Sequence, residues 1–312
     1  MNVSHPLGTG GIMANYQCNA ACRHCLYACS PDRRPDYITA ETATAVCRLL
    51  RQNGCRSLHI GGGEPFLDID GLCMLIRAVV AGGVRLDYIE TNGFWAKDET
   101  RAQMYLARIR DAGADTLCIS LDPFHAEYVP YGLPLRLAEL CDTVGFGYFL
   151  WQGRYFSDLR TADPGRVMEC SPDLIRKTAL SYGLRLGGRA LNIPPATAQK
   201  RRQGPCTNLL STDHFHVDCY GNFIPPGCTG LWIPLREAVE GIPSGKYPVW
   251  EALVRGGVDE LAAFARAQGC ADDTDCDFDC ARCFYLRKRL SEHGDFAELD
   301  NEYYIESLKF YK

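Results

Sequence analysis

The chain has no run approaching the ~20 consecutive apolar residues that a membrane helix needs, and its first residues lack the basic-then-apolar pattern of a secretory signal. It also lacks a basic excess. Lys and Arg number 33 against 38 Asp and Glu, a net charge of −5, which offers no general attraction to nucleic acid or to an anionic membrane. Internal repeats and low-complexity tracts are missing as well. These absences predict a cytoplasmic protein with no nucleic-acid or membrane partner, acting on a small molecule or a peptide. At 312 residues and 46% hydrophobic content, the chain is long enough to bury one large core, with or without a smaller appendage.

Cysteine is what the chain has in excess. Seventeen would suggest disulfides in a small secreted protein, but without a signal sequence they point to a reducing compartment. Four lie between residues 18 and 29 and seven between 206 and 283. The other six, Cys47, Cys55, Cys73, Cys118, Cys141 and Cys170, are scattered singly and read as small buried hydrophobes.

From residue 12 to 195, short β-like runs alternate with amphipathic helical segments, which predicts a parallel sheet with crossover helices. The strands are expected at Ile12 to Tyr16, Leu58 to Ile60, Leu86 to Glu90, Thr116 to Ser120, Phe146 to Trp151 and Leu184 to Leu186. Thr39 can cap the first helix, and Leu72, Leu75, Ile76 and Val79 form one face of the second. Six β/α units fit a partial (β/α)6 barrel of the TIM type, with an open flavodoxin-like sheet as the alternative. After Pro194 and Pro195 the sequence turns rich in glycine, proline and cysteine, so the expected domains are 1–195 and 196–312.

Cys18, Cys22 and Cys25, in the run CNAACRHC, are spaced so that one short loop can wrap three thiolates around a [4Fe–4S] cube. Three ligands leave one iron open to a group that is not protein. A zinc site or a redox CxxC is the competing reading, but zinc takes four tight ligands in paired spacings; here the pattern is three cysteines plus a nearby Cys29. In a parallel α/β fold the loops after the strands share one face. On that face fall Gly61-Gly62-Gly63-Glu64, then Asn92, then Ser120 and Asp122, each of which alone is an ordinary turn or cap residue.

The cysteine run together with these strand-end residues resembles the radical S-adenosylmethionine (radical SAM) enzymes. The resemblance implies the partial barrel, a [4Fe–4S] cluster at Cys18, Cys22 and Cys25, and SAM chelating its open iron. It places His24 near the adenine, Gly62, Gly63 and Glu64 at the methionine amino group, and Asn92, Ser120 and Asp122 at the sugar hydroxyls and carboxylate. His125 becomes a candidate proton acceptor or donor toward the substrate, an ordinary loop histidine being the alternative, and Arg154 and Arg189 become candidates for gripping a carboxylate.

Cys206, Cys219, Cys228, Cys270, Cys276, Cys280 and Cys283 form a second concentration of thiols. This region resembles the SPASM and twitch extensions of radical SAM enzymes, which implies one or two auxiliary [4Fe–4S] clusters. Cys206, Cys228, Cys280 and Cys283 look like a twitch set, while a complete SPASM pattern is not found; a four-cysteine zinc site is the alternative. The implied activity is that of a radical SAM oxidoreductase or maturase that takes a hydrogen atom from a peptide or small molecule, fed by a one-electron donor such as flavodoxin or ferredoxin. Because the cluster loop begins within twenty residues of Met1, a leader-binding module is expected on a separate protein. A non-catalytic iron–sulfur or zinc scaffold is the reading from another class.

Overall fold

The computed structural model describes residues 3–151, 162–182, 187–193, 204–272 and 278–309, together with Leu159, Leu184 and Cys276. Strands β1 (Gly10–Met13), β2 (Ser57–Gly61), β3 (Arg85–Thr91), β4 (Thr116–Ser120) and β5 (Gly147–Trp151) are parallel neighbours in that order. Between them run α1 (Ala40–Gln52), α2 (Ile69–Ala81), α3 (Glu99–Ala112), the short α4 (Pro123–Ala126) and α5 (Gly132–Val144). Four of these helices start on a side-chain cap: Thr39, Asp68, Asp98 and Asp122 each accept from a backbone N–H three residues on. Gly113 and Gly145 stop α3 and α5 in the left-handed conformation.

β1 starts at Gly10 rather than at the expected Ile12 and ends at Met13 rather than Tyr16. Glycine carries little strand propensity, but here it is selected by packing: a Cβ on Gly10 would lie 2.6 Å from the Phe215 carbonyl oxygen. After Met13 the chain leaves the sheet, and Asn15 bridges Tyr37 instead.

On its other edge β1 pairs in parallel with β6 (Phe215–Val217), followed by antiparallel β7 (Asn222–Ile224) and β8 (Ile233–Pro234). The sheet order is therefore 5-4-3-2-1-6-7-8, with six parallel strands. The strand expected at Leu184 to Leu186 falls outside the described residues except for Leu184, which has no regular structure. Trp151 of β5 and His216 of β6 line one cavity, so the sheet curves around it as a partial barrel.

Among the described residues the remaining helices are α6 (Pro172–Tyr182), α7 (Leu235–Glu240), α8 (Pro248–Ala267), α9 (Asp279–His293) and α10 (Asn301–Leu308). α8 kinks at Gly257, whose φ of +69° and missing side chain admit the Gly204 carbonyl, and Cys206 N–H then donates to Leu253 O at 2.9 Å. α10 braces the N-terminal cysteine loop. Ser30 Oγ donates to Glu306 at 2.7 Å, Arg33 pairs with Asp300 at 3.4 Å, and buried Tyr304 donates to Gly230 O at 2.8 Å. One hydrophobic core runs through both halves of the chain, from Val3 to Tyr304. Among the described residues no helix is long and apolar enough to cross a membrane.

Candidate active site

A cavity of about 590 Å³ opens at the C-terminal ends of the parallel strands, lined by the cysteine loop and by residues from β3, β4, β5 and β6. Cys18, Cys22 and Cys25 all face it, with Gly62, Gly63, Glu64, Asn92, Ser120, His24 and His125. The candidate residues thus converge, although they come from four segments of the chain. Arg154 lies outside the described residues.

Cys18 and Cys22 are buried and Cys25 is partly exposed. Burial raises the pKa of Cys18 and Cys22, and neighbouring Glu64 and the other thiols push the same way, opposed by Arg189. Cys25 is shifted down, because the Cys29 S–H and backbone N–H (3.3 Å) donate to its sulfur and Arg189 favours its charge. A site that collects three thiols, penalises two of the thiolates and favours the third is relieved by a cation of soft character, so the donor set fits an iron–sulfur cluster.

Arg189 is used differently from the expected carboxylate grip. It is fully buried; its Nε donates to Cys22 O at 2.9 Å, its Nη2 donates to Cys29 O, and its own N–H donates to Cys25 O at 3.1 Å. With its donors turned onto three loop carbonyls, the guanidinium holds the loop's shape.

The glycines also serve the loop. A Cβ on Gly63 would stand 1.9 Å from the Gln17 carbonyl oxygen, and Gly62 takes φ +133°. Gly63 N–H donates to Asn15 O at 2.8 Å and Glu64 N–H to Gln17 O at 3.0 Å, so the turn after β2 is stitched directly beneath the cysteines. The Glu64 carboxylate accepts from Asn92 N–H (2.8 Å), Thr91 Oγ1 (2.9 Å) and Phe66 N–H (3.1 Å), which ties the end of β3 to this turn. Burial nevertheless pushes its pKa up to about 7. Asn92 Nδ2 in turn donates to Asn19 Oδ1 at 2.8 Å, within the cysteine loop.

Asp122 does not line the cavity; it stands behind His125. Its carboxylate caps α4 and meets His125 Nδ1 at 2.5 Å. Burial opposes both charges, but the pair outweighs it: Asp122 is held well below the usual carboxylate range and His125 is raised. His24 stacks on Phe124 with ring centres 4.8 Å apart, and burial lowers its pKa to about 4, so it is a neutral aromatic surface.

In the C-terminal region the structure gathers Cys206, Cys228, Cys280 and Cys283. Burial, opposed by the Arg287 guanidinium and reinforced by the other three thiols, pushes Cys228 up to about 12; Cys280 feels burial and then Cys283 and Cys206, which bring it to about 11. Cys219, Cys270 and Cys276 have other surroundings. Cys219 sits beside Asp218 and Asp36, Cys270 beside Arg289 and Glu292, and Cys276 against Phe278 and Ala281. The quartet includes the CxxC at Cys280 and Cys283, and the other three sit in separate local surroundings.

Residues 14–138 match the Radical SAM superfamily model. That part of the chain is a radical SAM domain. Within the radical SAM domain lie the cysteine loop, the GGGE turn and the ends of β3 and β4. Among curated proteins, YydG of Bacillus subtilis (strain 168), named for peptide biosynthesis, is 27% identical over 121 residues, 39% of this chain and 38% of that protein. GTP 3',8-cyclase of Parasynechococcus marenigrum (strain WH8102) is 29% identical over 130 residues, 38% of this chain and 35% of the cyclase. The match thus spans well under half the length of either relative. Among solved structures, native anSMEcpe with bound AdoMet is similar at a TM-score of 0.45 and 14% identity, covering 97% of this chain and 95% of that one.

Sequence reasoning passed over a second set of cavity residues: Glu90, Cys118, Trp151, His214 and His216. The signal available was the pair of histidines two apart, His214 and His216, at the start of β6.

Proposed function

We propose that this chain is a radical SAM enzyme of the oxidoreductase or maturase type. Cys18, Cys22 and Cys25 would hold a [4Fe–4S] cluster with one open iron, and the adjoining cavity would receive S-adenosylmethionine. When bound, these groups supply by reductive cleavage a 5′-deoxyadenosyl radical that takes a hydrogen atom from an unactivated C–H bond. The observation that carries this reading is the convergence of the three thiols with Gly62, Gly63, Asn92 and Ser120 on one cavity.

The protein's own residues have separable tasks. Arg189, Gly63 and Glu64 fix the loop so that the three sulfurs keep their spacing. The flat, neutral ring of His24 offers a stacking surface for a purine. The His125–Asp122 pair faces the cavity through His125 and can hold or exchange a proton there. The cavity walls come from the cysteine loop, the turn after β2 and strands β3 to β6; an alkyl radical formed there would need bulk water kept out by the bound nucleotide and substrate.

About 590 Å³ falls within the range of single-ligand sites. It has to take the nucleotide as well as the reacting group, which favours a small molecule or one side chain of a peptide as the substrate. Cys206, Cys228, Cys280 and Cys283 supply four ligands, the complement of one closed auxiliary cluster rather than two. Such a cluster would accept the one electron that the substrate radical gives up as it is oxidised.

The test is anaerobic incubation of the cluster-loaded protein with dithionite and S-adenosylmethionine, with 5′-deoxyadenosine measured by liquid chromatography and mass spectrometry. Formation of 5′-deoxyadenosine supports the proposal. Its absence from a fully loaded protein favours the non-catalytic scaffold.

A further inference from the structure

Three histidines meet in the same barrel, and none of the tasks assigned above uses them. Gly11 of β1 is paired in register with His59 of β2 on one side and His216 of β6 on the other. In-register neighbours project from the same face of a sheet, so the two imidazoles converge over the glycine. A Cβ there would lie 2.4 Å from His59 Nε2 and 2.8 Å from His216 Cδ2. The missing side chain is what lets the rings meet.

The two Nε2 atoms are 3.1 Å apart. His214 completes the group, its ring centre 5.2 Å from those of both others, and it does so from a left-handed backbone, φ +67°, that a residue with a Cβ rarely adopts. One ring nitrogen from each of the three lies within 4.8 Å of the other two. Glu90 of β3 adds a carboxylate, its Oε1 3.8 Å from His59 Nε2. Glu90, His214 and His216 face the cavity; His59 is buried behind them.

Three imidazole nitrogens with one carboxylate make a donor set for a borderline divalent ion such as Zn²⁺ or Fe²⁺. Nitrogens at ~2.0–2.1 Å from a tetrahedral ion stand ~3.3 Å from one another, close to the separation of the two Nε2 atoms. A plain hydrogen bond between neutral rings accounts for His59 and His216, but not for the strained backbone that turns His214 toward them or for the carboxylate alongside. We infer that His59, His214, His216 and Glu90 form a mononuclear site for a divalent transition metal, separate from the thiol sites and opening on the cavity. The site stands on imidazole geometry alone. Only its position as a neighbour of the radical chemistry rests on the proposed function.

The experiment is zinc K-edge X-ray absorption on the anaerobic, cluster-loaded protein after addition of Zn²⁺ and removal of the unbound ion. Retained zinc with a first shell of nitrogen and oxygen at about 2.0 Å and imidazole outer-shell scattering supports the site. A sulfur shell at about 2.3 Å, or no retained zinc, overturns it. In His214→Gln, at an exposed position, zinc affinity falls by more than the roughly 10- to 100-fold that an outer-shell partner is worth; an unchanged affinity also overturns the proposal. The wild-type spectrum needs no variant to fold. Neither readout involves S-adenosylmethionine, so failure here leaves the cleavage reading intact, and failure of cleavage leaves this one intact.

Discussion

Replacing Gly63 with alanine tests how the loop is held. The new methyl would start 1.9 Å from Gln17 O and 2.5 Å from Gln17 C, where real Cβ contacts stay beyond 3.0 Å. Both neighbours are backbone, so no side chain can rotate aside; the segment from Gln17 into Cys18 has to retreat by roughly an ångström or more, an overpacking effect of about 1–3 kcal/mol. That retreat opens the two backbone hydrogen bonds from Gly63 and Glu64, at about 1 kcal/mol each. The expected destabilisation is therefore about 3–5 kcal/mol, with Cys18 displaced. Gly145→Ala is the control. Its φ is +64° but nothing lies within 4 Å of the added methyl, so it costs only about 1 kcal/mol of left-handed strain. Anaerobic urea denaturation measures stability, and iron per chain after identical reconstitution measures the site. Gly63→Ala should lose the loop's iron while the control keeps it. Wild-type iron content together with stability within about 0.5 kcal/mol of wild type would refute the reasoning.

Arg189→Met fills the buried volume but removes the donors to the Cys22 and Cys29 carbonyls. It should lower iron retention at the loop, read as iron lost to a chelator over time; retention equal to wild type argues that the guanidinium does not shape the loop. Cys228→Ala should remove the auxiliary site's iron or zinc, and Cys270→Ala should not, as metal analysis of the two variants will show. Asp218 titrates in a buried hairpin, where desolvation, partly offset by hydrogen bonds from Asn222 and Tyr220, raises its pKa from 3.8 to about 6. An acid raised on folding loses stability as pH rises through that interval, here by up to ~3 kcal/mol between about pH 4 and 6. Asp218→Asn should flatten that slope in denaturation midpoints, and an unchanged slope contradicts the assignment.

The parts of this molecule legible in its sequence are those set by local chemistry. Cys18, Cys22 and Cys25 announce a three-thiolate loop because their spacing alone decides which sulfurs share a loop, and Thr39 announces α1 because its cap bond lies three residues away. The residues misread are those whose partners lie far along the chain. Gly10 and Gly11 look like poor strand residues until β6, some 200 residues later, packs against them. Arg189 has a carboxylate-binding side chain, yet its nearest acceptors turned out to be carbonyls more than 150 residues away. His59 looks ordinary inside an apolar strand, and only the parallel pairing of β1 with both β2 and β6 sets it against His216.

The central claim is that three thiolates leave one iron free for S-adenosylmethionine, and electron paramagnetic resonance of the dithionite-reduced protein addresses it most directly. Adding S-adenosylmethionine should change the spectrum of the wild-type protein, and the change should vanish when Cys18, Cys22 and Cys25 are all replaced by alanine. A reduced-cluster signal from that loop that S-adenosylmethionine leaves untouched would contradict the account.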